Sequence, residues 1–326
     1  MSAERRSARS KAGRRRGDES VFLGIALQIA ATFLFTLMGA LIRYLSDRIP
    51  LGEVIFARSF LAFIPLFAML VWRRELASAV RMKQPWSHIW RAVTGVASMF
   101  FMFAGLALIP LADATAITFA TPLLSVVLAA IFLKEIVRIW RWSAVVVGLI
   151  GVLIMISPHL GASPRDSASA YGALYMFIGA FLVAAAMTQV RRLAMTESTA
   201  SIVFSFAVIS SLAGLATLPQ GWVMPSLSDG WALIGIGVLG GIGQILLTDS
   251  YRHAPASTVA PFAYTTMIWA VAIGYFAFGE VPQPIVLMGA VIVIAAGLFV
   301  IWRERQLGLD RTREREAETP PGGPAV

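Results

Sequence analysis

An all-α integral membrane protein of ten transmembrane helices, built as two inverted five-helix repeats, is the fold that this sequence predicts. Three observations carry it. There are ten apolar segments of bilayer length, a one-sided distribution of basic residues, and a proline-to-glutamate spacing that occurs once in each half. Of the 326 residues, 58% are hydrophobic and 14% charged, too few charges to cover a soluble domain. Cysteine is absent, which excludes a disulfide framework, a thiolate nucleophile and a thiolate metal site.

A helix rises about 1.5 Å per residue, so about 20 apolar residues cross the hydrocarbon core. By that measure the spans fall near 21–42, 53–72, 89–109, 114–133, 141–157, 171–190, 200–219, 231–249, 257–278 and 284–302. The first is longer than the apolar core of a signal peptide and no small-residue cleavage site follows it, so it reads as a retained helix. The third and fourth are separated only by Pro110-Leu111-Ala112-Asp113, where proline predicts a break and Asp113 is placed as the N-cap. Five spans per half turn the second half upside down. The expected organisation is a basic tail over 1–19, repeats over 20–158 and 171–302, an external linker over 159–170, and a charged tail over 303–326. Both tails are poor in apolar periodicity and are expected to be disordered.

The net charge of +9 invites a nucleic-acid reading, but its distribution does not. Of 27 Lys and Arg, all except Arg43, Arg48, Arg58 and Arg165 fall on one set of tails and loops. That is the positive-inside signature, with both termini cytosolic, a lipid bilayer as partner and no nucleic acid. His88, His159 and His253 lie apart and outside the predicted spans, so no metal site is expected.

Ile109-Pro110-Leu111-Ala112-Asp113-Ala114-Thr115 leads into the fourth span, and Ala254-Pro255-Ala256-Ser257-Thr258-Val259-Ala260 into the ninth. The same interval from each proline reaches Glu135 and Glu280, which read as structural helix ends. The first of these stretches, with Thr121-Pro122-Leu123-Leu124 and Leu133-Lys134-Glu135, resembles the EamA domain of the drug/metabolite transporter superfamily. The second half repeats the scheme at Phe278-Gly279-Glu280, and Glu53-Val54-Ile55-Phe56-Ala57-Arg58 resembles the family's second-helix arginine segment. The resemblance covers about 20–302. It implies a carrier in a bacterial inner membrane. Its relatives carry amino acids, S-adenosylmethionine, riboflavin, opine metallophores or drugs, so it leaves the cargo open.

Arg58 is the first candidate binding residue, because a guanidinium inside a span usually faces a cavity or a partner. Snorkelling to the nearer surface is the competing reading. Gln28, Thr118, Thr121, Gln244, Tyr264 and Trp269 are further candidates for the substrate site. Thr118, Thr121 and Ser125 share one helical face, and Trp269 lies too deep for an interfacial aromatic belt. Bonding of the hydroxyls to their own helix and packing of the aromatics are the structural alternatives. Asp249 is the candidate coupling residue, against a solvated helix end beside Arg252.

Gly235-Ile236-Gly237-Val238-Leu239-Gly240 spells a dinucleotide fingerprint inside an apolar helix, without the strand that would give it meaning. No phosphate loop is present, and no cofactor is expected. The reading is a secondary active transporter of a small organic metabolite, working by alternating access between the halves, and not an enzyme. The first, third and fourth helices and their counterparts are expected to line its cavity. Riboflavin uptake is the expected cargo, on the strength of Tyr264 and Trp269. Carriage or export of S-adenosylmethionine, amino acids or a related metabolite is the alternative, and a membrane-embedded enzyme or scaffold is the non-transport one. Oligomeric state is not legible.

Overall fold

The computed structural model describes residues 3–132, 137–160, 164–193, 196–254 and 256–318, and no strand occurs among them. Among these described residues, ten helices are long and apolar enough to cross a membrane. They are α1 (Val21–Leu45), α2 (Leu51–Trp72), α3 (Pro85–Leu108), α4 (Leu111–Phe132), α5 (Ile139–His159), α6 (Ser167–Val190), α7 (Ala200–Gln220), α8 (Leu227–Tyr251), α9 (Ala260–Phe278) and α10 (Pro284–Arg303). Helical backbone continues from α1 back to Ala3 and from α10 on to Glu318. Ten spans put both chain ends on one face of the bundle, here the terminal face; the opposite one is the distal face.

Several starts fall about one turn earlier than hydropathy places them, α3 and α8 among them. Pro85 opens α3, where its missing N–H is one that a first turn leaves unused. Ser226 caps α8, accepting the Asp229 amide at 3.2 Å. Polar first turns are invisible to an apolar window. As a result His88 lies inside α3; His159 closes α5, so neither of these histidines is outside the spans.

Three spans are broken. In α2 the helix pauses at Ala62, in α4 at Phe119, and α9 begins as a tight 3₁₀ turn, Ala260–Tyr264. Each break has a proline beside it, Pro65, Pro122 and Pro261, which lacks the N–H an unbroken helix needs.

Packing shows the two repeats. α3 lies along α6 as α8 lies along α1, and α4 meets α6 as α9 meets α1. α2 meets α8 as α7 meets α3, while α2 with α7, α4 with α9 and α5 with α10 are self-related pairs. Exchanging the halves maps this pattern onto itself. Small residues permit the close crossings. A Cβ on Gly237 would lie 2.3 Å from that of Leu61, and one on Gly241 2.4 Å from Cγ of Pro65, so α8 rides directly on α2.

Candidate functional site

α2 runs from the distal face inwards, and Arg58 is about 10 Å along it; α3 runs the other way, with Arg91 about 9 Å from its start. Their long side chains converge from opposite faces on one cavity of about 360 Å³ between α2, α3, α7 and α8. Ser59, Phe206, Gly240 and Gln244 complete its inner part. Along α2 and α8 it continues to Thr248, Arg73 and Glu75 at the terminal face.

The two arginines are poorly served. Arg58 Nη1 reaches only the Met99 thioether sulfur, at 3.9 Å, and its buried Nε has no hydrogen-bond partner. Arg91 stacks over Phe206 at 3.8 Å, and its Nε and Nη1 are likewise buried without a partner. Beside them the Ser59 hydroxyl, on a residue 1% exposed, has none either. Among the described residues no acidic side chain forms an ion pair with Arg58 or Arg91. A cation at the centre of a bilayer costs about 2.5–3.5 kcal/mol on insertion scales. Two planar forks aimed into one cavity fit a carboxylate, which supplies both charge and acceptors.

At the cavity mouth Arg73 and Asp249 pair at 2.6 Å. Asp249 is therefore an ion-pair partner of α2, and not a solvated helix end. On the neighbouring wall, His88 Nδ1 meets Ser205 Oγ at 2.7 Å, bonding α3 to α7. Glu197, just before α7, accepts the amides of Lys83 and Gln84 at 2.6 and 2.7 Å. Desolvation opposes its charge, yet those amides and His88 hold the carboxyl below the ordinary range.

The distal face is closed. Arg43 of α1 pairs with Glu280 at 2.5 Å and donates to the Leu106 and Ile109 carbonyls at the end of α3. The other oxygen of Glu280 accepts the Leu111 amide at 2.8 Å, so a residue of the second repeat caps α4 of the first. This corrects Asp113 as the cap: the helix starts at Leu111, and Asp113 sits in its first turn, 3.2 Å from His159 Nε2. Arg48 meets Asp229 at 3.0 Å, and Glu53 accepts the Val223 amide at 3.2 Å. Beneath these pairs Leu45, Ile42, Ile109 and Leu111 are buried in an apolar cluster. Glu135, the counterpart of Glu280, lies outside the described residues.

Of the residues singled out in the sequence, Arg58 and Gln244 line the cavity. Gln28, Thr118, Thr121, Tyr264 and Trp269 are not among its walls. Gln28 accepts from Ser250 at 3.0 Å, joining α1 to α8. Thr118 donates to the Thr115 carbonyl at 2.6 Å, and the Thr121 carbonyl accepts from Ser125 at 2.9 Å. Tyr264 packs edge-on against Phe119 and Trp269 against Phe33. Of the first, third and fourth helices and their counterparts, the third and eighth line this cavity, while α2 and α7 take the places of the others. Hydroxyls that bond their own helix leave α4 with less polar surface to offer a cavity. Arg91 and Ser59 were not singled out; an arginine two turns inside a span that opens at Pro85 was the available signal for the first.

A family profile matches this chain twice, over residues 22–157 and 170–302, and its description is EamA-like transporter family. The chain belongs to that family. Among similar proteins, the S-adenosylmethionine uptake transporter of Rickettsia prowazekii is 29% identical over 81% of this chain and 87% of its own. The pseudopaline exporter of Pseudomonas aeruginosa is 30% identical, covering 84% of this chain and 94% of its own. The riboflavin transporter of Rhizobium johnstonii is 25% identical, covering 86% and 92%. One solved protein structure covers 89% of this chain and 98% of its own, with a TM-score of 0.62 and 18% identity, which shows the fold alone. The EamA-family member described here is thus a multi-pass membrane protein related to metabolite transporters.

Proposed function

We propose that this protein is a secondary carrier, not an enzyme, for a small metabolite that bears a carboxylate, S-adenosylmethionine or a related amino-acid derivative. The observation that supports it is the pair of guanidinium groups, Arg58 and Arg91, bordering one cavity with no acid to neutralise them among the described residues. The carboxylate bonds to the two forks and to Ser59, and Gln244 meets a neutral edge. Glu75 gives the cavity mouth an acidic side chain, which suits the entry of a substrate that also carries an amino or sulfonium group. The terminal face is the cytosolic side of a bacterial inner membrane, by its basic loops. Alternating access then needs the distal ion pairs to open as the Arg73–Asp249 mouth closes; in that step Asp249 would be the coupling residue.

Riboflavin is the second reading, favoured by the Rhizobium relative and by Tyr264 and Trp269. Those two rings pack against Phe119 and Phe33 and do not border this cavity, so they would have to turn towards it. Counterflow in proteoliposomes loaded with unlabelled substrate separates the readings. Labelled S-adenosylmethionine is expected to accumulate and riboflavin is not; accumulation of riboflavin alone would replace the first reading by the second.

A further inference from the structure

We infer that transport is exchange: the loaded carrier reorients in either direction, while the empty one stays open to the terminal face. This rests on Arg58 and Arg91 being the carboxylate site. In the present conformation the cavity continues to the terminal face, where water can reach the inner space that the two guanidiniums border. Reorientation passes through an occluded state in which α2, α3, α7 and α8 have expelled that water. A bound carboxylate carries acceptors and a compensating charge through it. An empty cavity carries instead two like charges bordering one space, now without solvent.

The acids of the bundle are engaged elsewhere. Asp249 holds Arg73 at 2.6 Å, Glu280 holds Arg43 at 2.5 Å, and Glu197 is bonded to the Lys83 and Gln84 amides. Glu75 forms no ion pair with Arg58 or Arg91 among the described residues, and it lies beyond Trp72, itself about 21 Å of helix rise from Arg58. Among the described residues no acid pairs with the two forks, so the substrate's carboxylate is their counter-charge and the unloaded return is the slow step.

The test compares proteoliposomes preloaded with unlabelled S-adenosylmethionine with empty ones. Both receive labelled S-adenosylmethionine outside, with potassium and valinomycin clamping the potential. Initial uptake into preloaded vesicles is expected to be faster by at least about tenfold, which corresponds to about 1.4 kcal/mol in the barrier. Arg91→Gln leaves one unpaired cation instead of two, and the ratio should narrow even where both rates fall. Equal rates into loaded and empty wild-type vesicles would overturn exchange and leave the carrier intact. No uptake into either would overturn the functional reading, and exchange with it.

Discussion

At the distal end of the bundle Arg43 meets Glu280 at 2.5 Å and Arg48 meets Asp229 at 3.0 Å, above a buried apolar cluster. At mid-depth Arg58 and Arg91 face a cavity of about 360 Å³ without an acidic partner among the described residues. The same residue type therefore does opposite work at two depths. A paired arginine joins helices of different repeats and closes a face. An unpaired one keeps its charge uncompensated inside the bundle, and in the proposed function a ligand supplies the anion. The repeats differ in the same sense: α2 carries Arg58, whereas Ser205 on α7 is already bonded by His88.

Removing the unpaired cations should have the largest effect. Arg58→Ala and Arg91→Ala are each expected to abolish counterflow while the protein remains in the membrane. Arg58→Lys keeps the charge and loses the fork, for an expected drop of about tenfold to a hundredfold, the worth of a charged hydrogen bond. Normal counterflow by the Lys variant would remove Arg58 from the site.

Opening the distal end comes next. Glu280→Gln removes the partner of Arg43 and weakens the acceptor that serves the Leu111 amide. Labelling of an added cysteine near α4's first turn, Ala112→Cys, should rise several-fold from the distal side. The native chain has no cysteine to confuse the reading. Unchanged labelling would mean that the apolar cluster alone seals this face.

A smaller effect is expected from crowding the close crossing of α8 on α2. Gly237→Val places a branched side chain where even a Cβ would lie 2.3 Å from that of Leu61. Overpacking of this kind costs about 1–3 kcal/mol, so the melting temperature in detergent should fall by several degrees. The smallest effects belong to Trp269→Phe and Thr118→Val, each expected to change counterflow by less than about twofold, within the range of an ordinary surface or packing change. A loss as deep as that of Arg58→Ala would return the α4 and α9 face to the site.

Span order, repeat and family were legible because hydrocarbon thickness imposes a length on every crossing helix, and Pro110 and Glu280 punctuate it. Arg58 was legible as a charge inside an apolar run. Arg91 was not, since an apolar window starts α3 after its polar first turn and leaves that residue at the edge. Periodicity showed that Thr118, Thr121 and Ser125 share a face, but not that Thr118 and Ser125 bond carbonyls of their own helix. Nor can it pair Arg43 with Glu280 or Asp113 with His159, because those partners come from different helices, the first pair across the repeats and the second within one, and meet only when the helices pack.

The proposed substrate site, the cavity beside Arg58 and Arg91, is entered from the terminal face and closed from the distal one. Ala207→Cys on α7 lines that cavity and is 8% exposed. Its modification by a charged, membrane-impermeant thiol reagent can be followed in inside-out vesicles and in right-side-out cells. The account predicts labelling in inside-out vesicles that saturating S-adenosylmethionine slows by at least about tenfold, as expected for a ligand well above its dissociation constant, and little labelling from the distal side. Equal labelling from both sides, or no protection by a substrate that the carrier demonstrably transports, would contradict it.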